Sequence, residues 1–262
     1  MNSIDWIFLD IGNVIFYDLP LLARIWRHFY LTMREAGLAL SFEQVLAERE
    51  RILRENPPDA HPRKLIADTH APHVPDEAKQ KAYQYHHLYP GANVPLPGVH
   101  EVLGELGRSY HLGVIANQPP LVRAELDRHD LSRFFRLLVI SDEVGLHKPD
   151  GRIFELALER ADADAGRCLM VGDRIDNNVR PARSLGMRTI WLDNDFSRMP
   201  YNPQDDYERL YIESYLRISG VDQRMLPAAA PDVRIRHLAE LPAAADGLAG
   251  RANRSECMES AT

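Results

Sequence analysis

The sequence predicts an α/β protein built on a doubly wound parallel sheet. Three observations predict it. Short apolar runs recur along the chain and are near-continuous rather than alternating, as strands buried on both faces require. Helical patterns separate the later runs, the alternation of a parallel sheet with its crossover helices. Groups capable of chemistry follow the ends of four runs, where open parallel sheets bind their ligands.

The first run, Ile4–Leu9, closes on Asp10-Ile11-Gly12-Asn13. A helical stripe follows through Leu21, Ile25, Trp26, Phe29, Tyr30 and Met33, opened by Pro20 and stopped by Gly37. Ser41-Phe42-Glu43-Gln44 fits a capping box that starts a second helix. Residues 56–75 are rich in Pro and His and read as a loop; Asp76–Tyr89 reads as a third helix, closed by Pro90-Gly91. Residues 17–95 are therefore expected to form a helical cap inserted after the first strand, the alternative being that these helices extend the core. Helix and strand then alternate: Val99–Arg108, His111–Ala116, Leu121–His129, Leu137–Ile140, Arg152–Arg160, Cys168–Val171, Asn178–Leu185 and Met187–Leu192. The sheet domain is thus expected over residues 1–16 and 96–193. Residues 194–230 break the pattern with an amphipathic helix near Asp206–Ile218 and four tyrosines, Tyr201, Tyr207, Tyr211 and Tyr215. Residues 231–243 read as a short strand and turn returning to the sheet. Residues 244–262 read as an Ala-rich mobile tail.

The chain has 262 residues, 45% of them apolar and 26% charged, with a formal net charge of −7. That balance excludes the basic footprint of a nucleic-acid binder. Arg49, Arg51 and Arg54 interleave with Glu48, Glu50 and Glu55 and read as a solvated helix face. Two cysteines cannot build a disulfide framework, so a cytoplasmic setting is expected, with Cys168 as inert core. No basic leader and no run approaching the ~18 to 20 apolar residues of a membrane span is present, so neither secretion nor a membrane partner is expected. The apolar cap positions permit a monomer or a homodimer.

The strongest blocks are FLDIGNV, HKPDGRIFELAL and VGDRIDNNVRPARSLGM. Together they make the sequence resemble the haloacid dehalogenase-like hydrolase superfamily, which is mostly phosphatases. The resemblance covers residues 4–16 and 96–193. It implies a Rossmann-like three-layer core, a helical cap of the first type, a Mg²⁺ ion and a phosphoaspartate intermediate. It implies Asp10 as nucleophile and Lys148 as the charge that holds Asp10 and the phosphoryl oxygens together. It also implies Asp10, Asp173 and the Gly12 carbonyl as metal ligands, and Gly12, Asn13, Ala116, Asn117 and Lys148 as the substrate-binding set. The chemistry is coherent. A carboxylate attacking phosphorus splits hydrolysis into two easier steps, Mg²⁺ takes oxygen ligands, and a lysine supplies a compact positive charge where negative charge gathers.

Three positions depart from the family pattern. Gly12 stands where the phosphatases carry a second Asp, whose general acid–base role is worth about 10²–10⁴-fold. Ala116 replaces the usual Ser or Thr. Asn177 or Asn178 occupies the later acidic position, with Asp176 the nearby carboxylate. Candidates for a replacement acid in the cap are Tyr17, Asp18 and the histidines His28, His61, His70, His73, His86 and His87. Asp173 argues against the dehalogenase branch, which lacks a metal aspartate there. The expected activity is a Mg²⁺-dependent phosphatase of a small phosphorylated metabolite, with sugar phosphates as candidates. The alternative is an impaired relative that binds a phosphometabolite or a protein partner.

Overall fold

A computed structural model describes residues 4–55, 61–196, 201–218 and 230–250. Six strands form one sheet: β1 (Trp6–Leu9), β2 (His111–Ala116), β3 (Leu137–Ile140), β4 (Cys168–Gly172), β5 (Arg188–Leu192) and β6 (Val233–Ile235). Their order is β3-β2-β1-β4-β5-β6, and every pairing is parallel. The chain builds outward from β1 to β3, then crosses back to lay β4 on the other side of β1. That reversal makes the β1–β4 edge the switch point of the sheet, where a ligand crevice opens.

Helices α1 (Leu19–Glu35), α2 (Phe42–Glu55), α3 (Pro62–His70) and α4 (Asp76–Tyr83) come first. Helices α5 (Val99–Leu106), α6 (Val122–Arg128), α7 (Ser141–Val144), α8 (Gly151–Ala161) and α9 (Arg180–Ser184) alternate with the strands. Helices α10 (Asp206–Ile218) and α11 (Leu241–Leu248) follow.

The chain divides into two compact units. The sheet unit comprises Met1–Tyr17, Pro95–Asp195 and Met225–Thr262; the helical unit comprises Asp18–Val94 and Phe196–Arg224.

In the sheet unit, Phe8, Ile115, Val139 and Met170 pack with Ile153, Phe154 and Ala157 of α8 in one buried cluster. The continuous apolar runs are what let both strand faces be covered. Gly113 is there because a β-carbon would lie 2.8 Å from the Phe8 ring. Cys168 is fully buried in this core, and burial pushes its thiol up to about 12. Pro242 opens α11, which buries Leu241, Pro242 and Ala245, and Tyr110 donates its hydroxyl proton to Asp246 Oδ1 at 2.6 Å. The expectation of a mobile tail from residue 244 is therefore corrected as far as Leu248; residues 251–262, Cys257 included, lie outside the described residues.

In the helical unit, α1 packs on α4 and α10, and α2 packs on α3 and α10. The Ser41 box forms as its sequence requires: Ser41 N–H donates to Gln44 Oε1 at 2.8 Å and Gln44 N–H to Ser41 Oγ at 3.3 Å. Helix α3 corrects the loop reading of residues 56–75 over Pro62–His70, while residues 71–75 form no helix. Pro62 sits in its first turn, where a missing N–H costs nothing, and Ile66 and Ala67 are buried. Residues 56–60 of that reading lie outside the described residues. Helix α4 stops at Tyr83, short of the expected Tyr89, because Gln84 is extended; a single 3-10 turn, His86–Leu88, follows. The solvated-face reading of α2 holds at Arg51, Arg54 and Glu55, which are exposed, and is corrected at Arg49 and Glu50. Arg49 and Glu50 are only 5% and 7% exposed because α10 covers them. Arg49 donates to Ser214 Oγ at 3.3 Å, and Arg217 pairs with Glu50 at 2.8 Å. Among the described residues no helix is long and apolar enough to cross a membrane.

Candidate active site

Asp10 follows the last residue of β1, and its N–H donates to Val171 O at 2.9 Å. This bond fixes it beside the end of β4. One carboxylate oxygen, Oδ1, accepts from Ile11 N at 2.8 Å. The other, Oδ2, receives Lys148 Nζ at 2.7 Å and Asn178 Nδ2 at 2.8 Å.

Lys148 is 4% exposed, and a buried ammonium needs partners. It has Asp10 and the Ile115 carbonyl, the latter at 2.9 Å. Asn117, just past β2, fixes its backbone from both sides: Asn117 Nδ2 donates to Lys148 O and Lys148 N–H donates to Asn117 Oδ1, each at 2.8 Å. One amide proton of Asn117, expected to serve phosphate, is thus given to Lys148. Ala116 is fully buried, and its methyl offers no hydrogen bond.

Asp173 follows β4. Asn13 Nδ2 donates to its Oδ2 at 3.1 Å, and Trp191 Nε1 donates to its backbone carbonyl at 2.9 Å. Asn13 holds a left-handed backbone (φ 53°), which Asn tolerates better than most residues. Its N–H reaches Phe16 O at 2.6 Å and its carbonyl accepts from Asn194 Nδ2 at 2.5 Å. Gly12 lies in the same turn, bridged to Phe16. Burial and then the Asp10 charge push the Asp173 carboxyl up to about 7, against the pull of the Asn13 bond, Arg174 and Lys148. The Asp10 charge thus opposes ionisation of Asp173, while the Lys148 ammonium pairs with Asp10.

Sequence reasoning found Asp10, Gly12, Asn13, Asn117, Lys148 and Asp173 at this rim, but missed Asn178 as a partner of Asp10. The expected helix Asn178–Leu185 instead begins with a π turn, Ile175–Val179, before α9. The wide turn carries Asn178 inward, fully buried, its Oδ1 accepting Arg174 N–H at 3.2 Å. Gly172 makes room, since a β-carbon there would lie 2.3 Å from the Asn178 side chain. The only sequence signal was an Asn where a carboxylate was expected. Asp176 points elsewhere: it pairs with Arg174 at 2.5 Å. Burial raises its carboxyl, but the Arg174 bond and charge outweigh that and leave it below the usual range.

The donor set suits Mg²⁺. Two carboxylates and peptide carbonyls are hard oxygen donors, and Mg²⁺ uses one or two carboxylates and fills the rest with water. Among the described residues no three His, Cys, Asp or Glu side chains gather, so a protein-only cage is absent there. The Asp10–Asp173 repulsion is the charge imbalance a dication relieves.

Four of the candidate cap acids, Tyr17, His28, His70 and His73, have shifted or engaged side chains. Burial pushes the Tyr17 hydroxyl up to about 12, far from neutral pH. His28 Nε2 lies 3.0 Å from Lys81 O, His73 Nε2 3.3 Å from Gly37 O, and His70 Nε2 3.6 Å from Glu48 Oε2.

The site thus sets an aspartate, a lysine and a second aspartate at the switch point of a doubly wound parallel sheet. The family model of haloacid dehalogenase-like hydrolases matches residues 4–186, and the chain belongs to that family. A glyceraldehyde 3-phosphate phosphatase of Pyrococcus abyssi is 31% identical over 193 residues, covering 71% of this chain and 80% of the relative. A phosphoserine phosphatase of Thermus thermophilus is 29% identical over 200 residues, covering 74% of this chain and 63% of the relative. The crystal structure of a HAD phosphatase from Thermococcus onnurineus shares the fold, with a TM-score of 0.59 and 21% identity over 93% of this chain and 97% of that one.

Proposed function

We propose that the chain hydrolyses phosphate monoesters of small metabolites through a phosphoaspartate on Asp10. The observation that carries this reading is the meeting of Asp10, Lys148 and Asp173 at the switch point, with Lys148 Nζ 2.7 Å from Asp10 Oδ2. Asp10 attacks phosphorus and the ester P–O bond breaks, releasing the alcohol. Water then attacks the same phosphorus, frees inorganic phosphate and restores the carboxylate. Lys148 offsets the charge of Asp10 and the phosphoryl oxygens, Asn117 orients Lys148, and Asn178 holds the Asp10 carboxylate in one rotamer. Asp10, Asp173 and the Gly12 carbonyl would hold Mg²⁺, which supplies positive charge against the phosphoryl dianion.

Gly12 has no carboxyl to protonate the departing oxygen. The reading therefore favours esters whose alcohol leaves readily, such as sugar 1-phosphates. Relatives named for glyceraldehyde 3-phosphate and phosphoserine support a small substrate. The protein works in the cytoplasm, as a monomer or homodimer; its −7 charge disfavours nucleic acid.

Turnover of an aryl phosphate with Mg²⁺, lost in Asp10→Asn, is the expected result. Gly12, Ala116 and Asn178 favour a second reading, a protein that binds a phosphometabolite without cleaving it. Cation and phosphate binding with no turnover would establish that reading and overturn the first.

A further inference from the structure

Two side chains at the exit of β5 bear on Asp173, one on its main chain and one on its carboxylate. Trp191 lies in β5, in register with Gly172, the residue before Asp173. It is 3% exposed, and its Nε1 donates to the Asp173 carbonyl at 2.9 Å. Its ring packs with Ile175 and Val179 of the π turn. Arg234 of β6 stands in register with Trp191, and its Cζ lies 4.8 Å from the ring centroid. The Arg234 guanidinium is itself tied to the Asp193 carboxylate. Asn194 follows two residues after β5. Its Nδ2 donates to the Asn13 carbonyl at 2.5 Å, and Asn13 Nδ2 donates to Asp173 Oδ2 at 3.1 Å. Asn13 is 5% exposed and left-handed, so a bond to its carbonyl steadies the turn from which its side chain reaches.

A buried indole N–H must find an acceptor, and Trp191 spends its only donor on the candidate metal ligand. Groups that hydrogen-bond a ligating residue from behind fix its orientation, and losing one typically costs about 10–100-fold in metal affinity. Mg²⁺ is the cation that feels such a loss most, because it demands near-ideal octahedral geometry. The need is greater here because the Asp10 charge acts against an ionised Asp173. We propose that Trp191 and Asn194 are positioning residues that aim the Asp173 carboxylate at the cation. Trp191 acts through the Asp173 main chain, and Asn194 acts through Asn13. The assignment rests on the metal part of the phosphatase reading. It gives the β5 exit a share in the site although no β5 residue is a candidate ligand.

The test titrates Mg²⁺ alone into the full chain by calorimetry. The native chain is expected to bind it and Asp173→Asn to lose it. Trp191→Phe keeps a ring and removes the donor; it is expected to bind Mg²⁺ about tenfold more weakly or worse. Asn194→Ala is expected to weaken binding severalfold. Trp6→Phe is the control. It alters an indole of the same sheet that stacks on Phe8 at the start of β1, and Mg²⁺ affinity should hold whatever happens to Tm. Aryl phosphate turnover in Trp191→Phe and Asn194→Ala should be regained at high Mg²⁺, so that the apparent Mg²⁺ requirement moves and kcat does not. Native Mg²⁺ affinity in both variants overturns the proposal and leaves the metal reading standing. A loss of affinity in Trp6→Phe as large as in Trp191→Phe also overturns it, because stability rather than position then sets the affinity. A native chain that binds no Mg²⁺ removes the metal reading, and this inference with it.

Discussion

Asp10 illustrates how much one side chain depends on its neighbours. Its Oδ2 is fixed by an ammonium and an amide, and the amide reaches it only because residue 172 has no side chain. Gly172→Ala should cost about 1–3 kcal/mol through overpacking and lower turnover by displacing Asn178. Denaturant unfolding of Gly172→Ala and of the double variant with Asn178→Ala checks this, since the second change should return most of the lost stability. Gly12 is a different case. Its φ is not among the left-handed ones, so the backbone accepts a side chain there. Gly12→Asp is expected to raise kcat for alkyl phosphates by about 10²–10⁴-fold while barely changing an aryl phosphate. Rates across a series of leaving groups measure it, and an unchanged slope would show that another group already donates the proton.

At the scale of elements, the strands were legible because a strand buried on both faces must be apolar throughout. The rim position of the candidate site residues was legible because chain order places groups after strands at one end of the sheet, while their roles came from the family resemblance. Helix α3 was not legible: the Pro and His content of residues 56–75 reads as loop, although a proline in the first turn, as Pro62 is here, starts a helix as readily as it ends one. The inward turn of Asn178 was not legible either, because a π turn shifts side-chain direction without a sequence mark of its own. For α10, periodicity gave the helix but not its destination, since docking depends on which apolar face lies opposite. Two substitutions test these elements. Ser41→Ala should lower stability by about 1 kcal/mol through loss of the cap. Tyr211→Ala, at a residue only 1% exposed, should cost about 3–5 kcal/mol. Thermal melts of the full chain read both.

For the whole molecule, the paired carboxylates tie cation binding to stability. A ligand that binds only the folded state stabilises by mass action, about 2.7 kcal/mol at a hundredfold excess over Kd. Mg²⁺ should therefore raise Tm and a chelator should reverse the shift. Asp173→Asn should remove the response and raise the cation-free Tm, because its repulsion with Asp10 is gone. A Tm indifferent to Mg²⁺ in the unmodified chain would contradict the metal assignment. The two-segment make-up of the helical unit has a consequence for synthesis. Tyr207 and Tyr211 of α10 pack on Tyr30, Phe42 and Trp26, yet they leave the ribosome after all but the last strand of the sheet. A nascent chain of some two hundred residues thus carries an aromatic surface awaiting its cover, and this is the stage at which chaperone capture should peak.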